Sequence, residues 1–185
     1  LKAANPSRDF LGVIPGREGF FELRKNEHAY ALKNTVIYRF RESLFFANIK
    51  IFMEDIENSI DEHTQNVIVD AGAVTDIDIT APDQLEALAL SLKERGIRFF
   101  MTEHMASVNE QMRRLGIGHL IEDGMVRRTM TSALRAAGMT EPYPLESIGE
   151  VHVKNGVHLA AEEENSLEEF AWAFGDDVVR QIEKK

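Results

Sequence analysis

The sequence predicts an α/β domain, a mixed central β-sheet flanked by about four α-helices, with a hairpin-and-helix extension at its C-terminus. Three observations carry this expectation. Val67–Asp70 and Ile97–Met101 are apolar runs short enough to be buried strands. Between them Leu85, Leu88, Ala89 and Leu92 recur at the three-and-four spacing of one helical face, so residues 67–101 read as a right-handed βαβ unit. Upstream, Val36, Tyr38 and Phe40 alternate on one face of Thr35–Arg41, rich in the β-branched and aromatic residues that favour strands.

The remaining elements follow in order. Residues 1–19 are loop-like, punctuated by Asn5-Pro6 and by Gly12, Pro15, Gly16 and Gly19, and a start at Leu1 without Met points to a fragment of something longer. Phe20–Arg24 reads as a first strand. After Thr35–Arg41, Glu42-Ser43 allows a reversal or bulge, and Leu44-Phe45-Phe46 is a short strand running into Asn48 as an N-cap. The first helix places Ile49, Phe52, Met53, Ile56 and Ile60 on one stripe. In the second, Thr80 and Asp83 make a reciprocal capping box, and Gly96 supplies the left-handed stop. Met105, Val108, Met112 and Leu115 predict a third helix ended by Gly116; Leu120-Ile121 reads as a short edge strand. A fourth helix over 124–137 presents Val126, Met130, Ala133, Leu134 and Ala137, after which Gly138 and Pro142-Tyr143-Pro144 close the body. In the tail, Asn155-Gly156 centres a hairpin over Val151–Leu159. Asn165 or Ser166 then caps a helix carrying Leu167, Phe170, Phe174, Val178 and Ile182. The predicted division is a linker over 1–19, a domain over 20–140 and an extension over 141–185.

Charge is unevenly distributed. Of the net −10, residues 141–185 contribute −7 from eleven acidic and four basic side chains, and the first 140 residues only −3. The body is nearly neutral and the tail acidic, which argues against nucleic acid as main partner, because phosphate binding needs clustered Lys and Arg. Zero cysteines exclude a disulfide framework and thiol catalysis. No apolar run approaches the roughly 20 residues of a membrane-spanning helix, so the segment is expected to be soluble.

Chemistry concentrates in one loop. Asp70, Asp76 and Asp78 are the densest carboxylates, and Thr80 stands at a helix N-terminus. An acidic Mg²⁺ site would suit these oxygens, but such sites also want a Lys after a later strand, and here Thr102-Glu103-His104 follows. Phosphorylation of Thr80, or anion binding to its neighbouring amides, is the second reading. Plain capping by Thr80 is the commonest use of such a residue. The histidines have no metal-ligand spacing, and His152 and His158 point to opposite faces of the predicted hairpin. No P-loop, GxSxG or dinucleotide fingerprint is present, so neither enzymatic activity nor a cofactor or metal is expected.

Taken together, the motifs resemble a known family: the STAS domain at the cytoplasmic C-terminus of SulP-type anion transporters. Leu11-Gly12-Val-Ile-Pro-Gly16, Ile37-Tyr38-Arg39-Phe40 and Leu44-Phe45-Phe46-Ala47-Asn48 are similar to the linker, strand and helix entry of that family. Asp76-Ile77-Asp78-Ile79-Thr80-Ala81 is similar to its "IDxTA" loop, and Arg95-Gly96-Ile97 to its "RGI". The resemblance covers about Phe10 to Gly138. It implies a STAS fold and a non-catalytic regulatory role on the cytoplasmic side of the inner membrane, beneath a carrier of sulfate, bicarbonate or dicarboxylates. The partners implied are the membrane domain, a second protomer and a cytosolic regulatory protein; nucleotide binding stays open. Only Asp61 to Asn66 join the first helix to the next strand, as in a compact bacterial form. The alternative is a free-standing STAS protein of the anti-anti-sigma type, switched by phosphorylation at Thr80. In either case the contact or phosphorylation loop is expected at Asp76, Asp78, Thr80 and Ala81.

Overall fold

Apolar residues at alternating positions pull the strands into a sheet with two covered faces. In the computed structural model, which describes residues 8–42, 44, 46–77, 81–104 and 106–146, the strands are β1 (Arg8–Gly12), β2 (Phe21–Glu22), β3 (Thr35–Phe40), β4 (Asn66–Asp70) and β5 (Arg98–Thr102). The helices are α1 (Phe46–Ser59), α2 (Ala81–Glu94), α3 (Ala106–Arg114), α4 (His119–Glu122) and α5 (Met130–Ala136). The spatial order is β2-β1-β3-β4-β5. β1 runs antiparallel to both β2 and β3, whereas β3, β4 and β5 are parallel. The sheet is therefore mixed, as predicted.

Strand periodicity sets the two larger of three apolar clusters on opposite faces of the sheet, the third lying around Ile14, Leu23, Tyr30 and Leu145. Val36, Tyr38, Phe40, Val67, Val69, Phe99 and Met101 join Ile49, Phe52 and Ile56 of α1 and Leu85, Leu88 and Leu92 of α2 in the larger cluster. On the opposite face Leu11, Ile37, Ile68 and Phe100 meet Met130, Ala133 and Leu134 of α5, together with Tyr143. The predicted α2 stripe is thus buried, as are Ile49, Phe52 and Ile56 of the α1 stripe, with Met53 and, just past the helix end, Ile60 partly buried against the same cluster. The Gly96 stop also forms: its φ is +74°, its N–H donates to Lys93 O at 3.0 Å, and the Ile97 N–H donates to Leu92 O at 2.8 Å. These are the two bonds of a Schellman motif, with Ile97 and Leu92 buried together.

Several elements differ from the sequence reading. Residues 8–12, read as loop, form β1. The strand reading failed there because its inward positions include Asp9, whose buried carboxylate takes a bond from Arg24 at 2.8 Å. Burial and the nearby Glu22 raise the Asp9 carboxyl above its ordinary range, while Lys25 holds Glu22 down. Phe20–Arg24 shrinks to the two-residue β2. Of the predicted Leu44-Phe45-Phe46 strand, Phe45 lies outside the described residues, Leu44 makes one bridge to Ile77 and Phe46 already begins α1; Asn48 lies buried inside that helix and not at its N-cap position. Leu120-Ile121 belongs to α4, where Asp123 N–H donates to His119 O. The edge contact of β5 is instead made by Val126, opposite Met101. The last helix consequently starts at Met130, with the Thr129 hydroxyl accepting from Ser132 N–H at 3.0 Å as its cap.

Tyr143, Leu145 and Glu146, from the segment assigned to the extension, pack on the body. Leu145 pairs with Leu32, and Glu146 N–H donates to Ala31 O. The Glu146 carboxylate accepts from Asn34 N–H at 2.8 Å. The predicted tail hairpin and helix fall outside the described residues.

Candidate functional site

Because ligands and partners of open α/β sheets meet the carboxyl ends of the parallel strands, the β4–α2 connection is the place to examine. β4 ends in Asp70, directly opposite Arg39 of β3. Arg39 Nε donates to the Asp70 carboxylate at 2.9 Å, and Gly72 N–H donates to its other oxygen at 3.0 Å. Asp70 is thereby committed to the carboxyl end of the β3–β4 pair and the following turn. Ala71 N–H reaches Thr102 O of β5, and fully buried Val74 anchors the turn below.

The chain then runs between α1's entry and α3. Leu44 N–H donates to Asp76 O at 2.9 Å, Leu44 and Ile77 form a parallel bridge, and Gln111 Oε1 accepts from Ile77 N–H at 2.8 Å. These contacts hold the backbone, with the Ile77 side chain buried and the Asp76 side chain exposed. Gln111 escaped the sequence reading, since nothing in a polar residue beside the Val108 and Met112 stripe signals a bond to a loop 34 residues away. Asp78 and Thr80 lie outside the described residues, and with them the Thr80 half of the capping box. α2 opens at Ala81, with Asp83 in its first turn where the helix dipole favours an anion. Of the four predicted site residues, the structure places Asp76 on an exposed, backbone-pinned loop and Ala81 at the helix start.

A second cluster stands at the end of β5. Glu103 adopts a left-handed backbone (φ +59°), and its carboxylate accepts from Met130 N–H at 2.9 Å, serving the first turn of α5. Neighbouring His104 is half-buried, its Nδ1 has no hydrogen-bond partner among the described residues, and burial lowers its pKa. His119 instead reaches the Glu86 carboxylate at 2.9 Å. Among the described residues no three His, Cys, Asp or Glu side chains are grouped as a metal would need. None of their helices is long and apolar enough to cross a membrane. What this geometry offers is an exposed carboxylate and a helix start on a held backbone, suited to contact.

Comparison with known proteins agrees with the fold. Residues 26–133 match the STAS domain family. A probable sulfate transporter of Mycobacterium tuberculosis is 27% identical over 138 residues, 73% of this chain and 25% of the relative. Probable sulfate transporter 4.2 of Arabidopsis thaliana is 30% identical over 132 residues, 65% of this chain and 20% of the relative. The chain thus spans about a quarter or less of these relatives' length. Among solved structures, the murine Solute Carrier 26 family member A9 anion transporter in its inward-facing state superposes with a TM-score of 0.65 at 18% identity, over 71% of this chain and 22% of that one. A sulfate transporter family protein from Wolinella succinogenes gives 0.51 at 20% identity, over 57% and 85%. The chain belongs to the STAS domain family.

Proposed function

We propose that this chain is the cytoplasmic regulatory domain of a SulP-type secondary anion transporter of the sulfate, bicarbonate or dicarboxylate class, without catalysis of its own. The observation that carries the reading is the family match over residues 26–133, joined to relatives named as sulfate transporters of which this chain equals only a fraction. The segment ahead of β1 then leads in from the membrane domain, and a second protomer is the natural neighbour. In this role the loop of Asp76, Asp78, Thr80 and Ala81 is the contact surface, and a phosphate on Thr80 would add roughly −1.5 to −2 charge there.

The test uses the parent transporter in proteoliposomes, with uptake of labelled sulfate, bicarbonate and a dicarboxylate as readout. Removing the domain should change the rate or regulation of uptake while leaving the preferred anion the same. Thr80→Glu should alter regulation or partner binding and leave the stability of the isolated domain within about 0.5 kcal/mol. A loss of several kcal/mol would make Thr80 a structural cap only. A reading frame that starts just before Leu1, with no hydrophobic segments upstream, would sink the transporter role in favour of a free-standing phosphorylation-switched STAS protein.

A further inference from the structure

β5 is the last strand of the sheet, so one of its edges faces away from β4. Arg98 N–H points inward to Gln65 O at 2.9 Å, whereas Met101 N–H points outward to Met125 O at 2.8 Å. Alternation therefore turns the N–H and C=O of Phe99 outward. The covering segment begins too late to meet them: Arg127 N–H returns to Met101 O, and Glu103 N–H donates to Arg128 O. Among the described residues no backbone group pairs with the outward edge of Phe99.

A cleft of about 370 Å³ lies against this open stretch, with Phe99, Phe100, Ala89 and Met125 among its apolar lining. Its charged lining is Lys93, Arg98 and Arg127 against a single carboxylate, Asp123. Lys93 and Arg98 are exposed. A net-positive rim runs against the charge of a chain that carries −10 overall. An open strand edge offers backbone pairing to any extended chain, the apolar lining favours one with alternating apolar side chains, and the cations select its charge.

We propose that the outward edge of β5 at Phe99 accepts an extended acidic segment of a partner protein as an added strand. The partner backbone pairs with the Phe99 N–H and C=O, its carboxylates meet Lys93, Arg98 and Arg127, and its alternate apolar side chains enter the cleft. Lys93 lies in the last turn of α2, whereas the Asp76–Ala81 loop leads into the first. The two surfaces are thus at opposite ends of one helix, and either can fail without the other.

The experiment titrates the isotope-labelled full chain with the blocked peptides acetyl-EVETEVE-amide and acetyl-KVKTKVK-amide, following amide shifts and hydrogen exchange. The acidic peptide should slow exchange at Phe99 at least tenfold, with shifts around Gly124 and Arg127, and binding should weaken with added salt. Lys93→Glu with Arg98→Glu should weaken it at least tenfold; the milder Lys93→Gln with Arg98→Gln should fall between, with melting of both variants as the folding control. Equal response to the lysine peptide, or no protection at Phe99, overturns the proposal. So does a Phe99 amide already protected in the free chain and released by Glu162→Lys, Glu163→Lys and Glu164→Lys, because the chain's own tail would then be the occupant.

Discussion

The parallel half of the sheet and its antiparallel half are built from the same kinds of residue but held together differently. From β3 through α1, β4 and α2 to β5, each strand pairs with the next one in the sequence across a single helix. β1 instead pairs with β3 across an intervening β2, and the same corner is closed by Leu145 on Leu32 and by Glu146 on Asn34, more than 110 residues away. The parallel half stabilises itself through long apolar stripes. The antiparallel half depends on partners that arrive from distant sequence, and on close backbone approach.

The largest expected effect tests the first half of that contrast. Phe52 is fully buried, its ring edge-on to Phe40 at 5.4 Å and tilted against Tyr38 at 5.6 Å. Phe52→Ala should cost about 3–5 kcal/mol in urea unfolding. A loss below about 1 kcal/mol would mean that this core is not what holds the parallel half.

Close approach in the other half is tested at Gly12. Val13 and Tyr30 exchange both backbone bonds at 2.9 Å, and a Cβ on Gly12 would lie 2.3 Å from Tyr30 O and 2.6 Å from Leu23 Cδ2. This supplies a physical reason for the first glycine of the Leu11-Gly12-Val-Ile-Pro-Gly16 motif. Gly12→Ala should destabilise by about 3 kcal/mol, as overpacking does, with exchange quickened in β1 and β2 before β4. Uniform quickening across the sheet would show that the two halves unfold as one.

Smaller effects sharpen the boundary between them. Thr129→Ala removes the cap of α5, which covers β4 and β5 on the second face, and should cost about 1 kcal/mol by thermal melting. Half-buried His104 resists protonation in the fold, whereas in the unfolded chain it titrates near the ordinary value of about 6.5. As pH falls through that value the unfolded chain binds the extra proton first, so stability declines with acidification and is regained above it. His104→Gln should flatten this slope between pH 7 and 5; an unchanged slope would move the pH sensitivity to another group.

The same contrast governs how much was legible beforehand. The βαβ unit, its Gly96 stop and the α1 stripe could be read because period and length agree with burial: Ile49, Phe52 and Ile56 are apolar where the helix faces the sheet. β1 was missed because Asp9 is made acceptable inside by Arg24, a partner 15 residues away that no local window contains. Leu120-Ile121 was misread because two apolar residues carry no period at all, and the edge position expected of them went to Val126. At the candidate loop, sequence resemblance located the segment, but only the fold ties Asp76 to Leu44 and Ile77 to Gln111.

By itself, then, the sequence determined the α/β class, the parallel βαβ core and the STAS resemblance, because alternation and helical spacing are written in neighbouring residues. Tertiary structure alone decided the place of β1, the capture of Tyr143 to Glu146 by the body, the spending of Asp70 on Arg39 and the edge at Phe99 that no backbone group pairs with among the described residues. Each of these depends on which distant group arrives to pair a backbone or a charge, and a one-dimensional pattern does not encode that meeting.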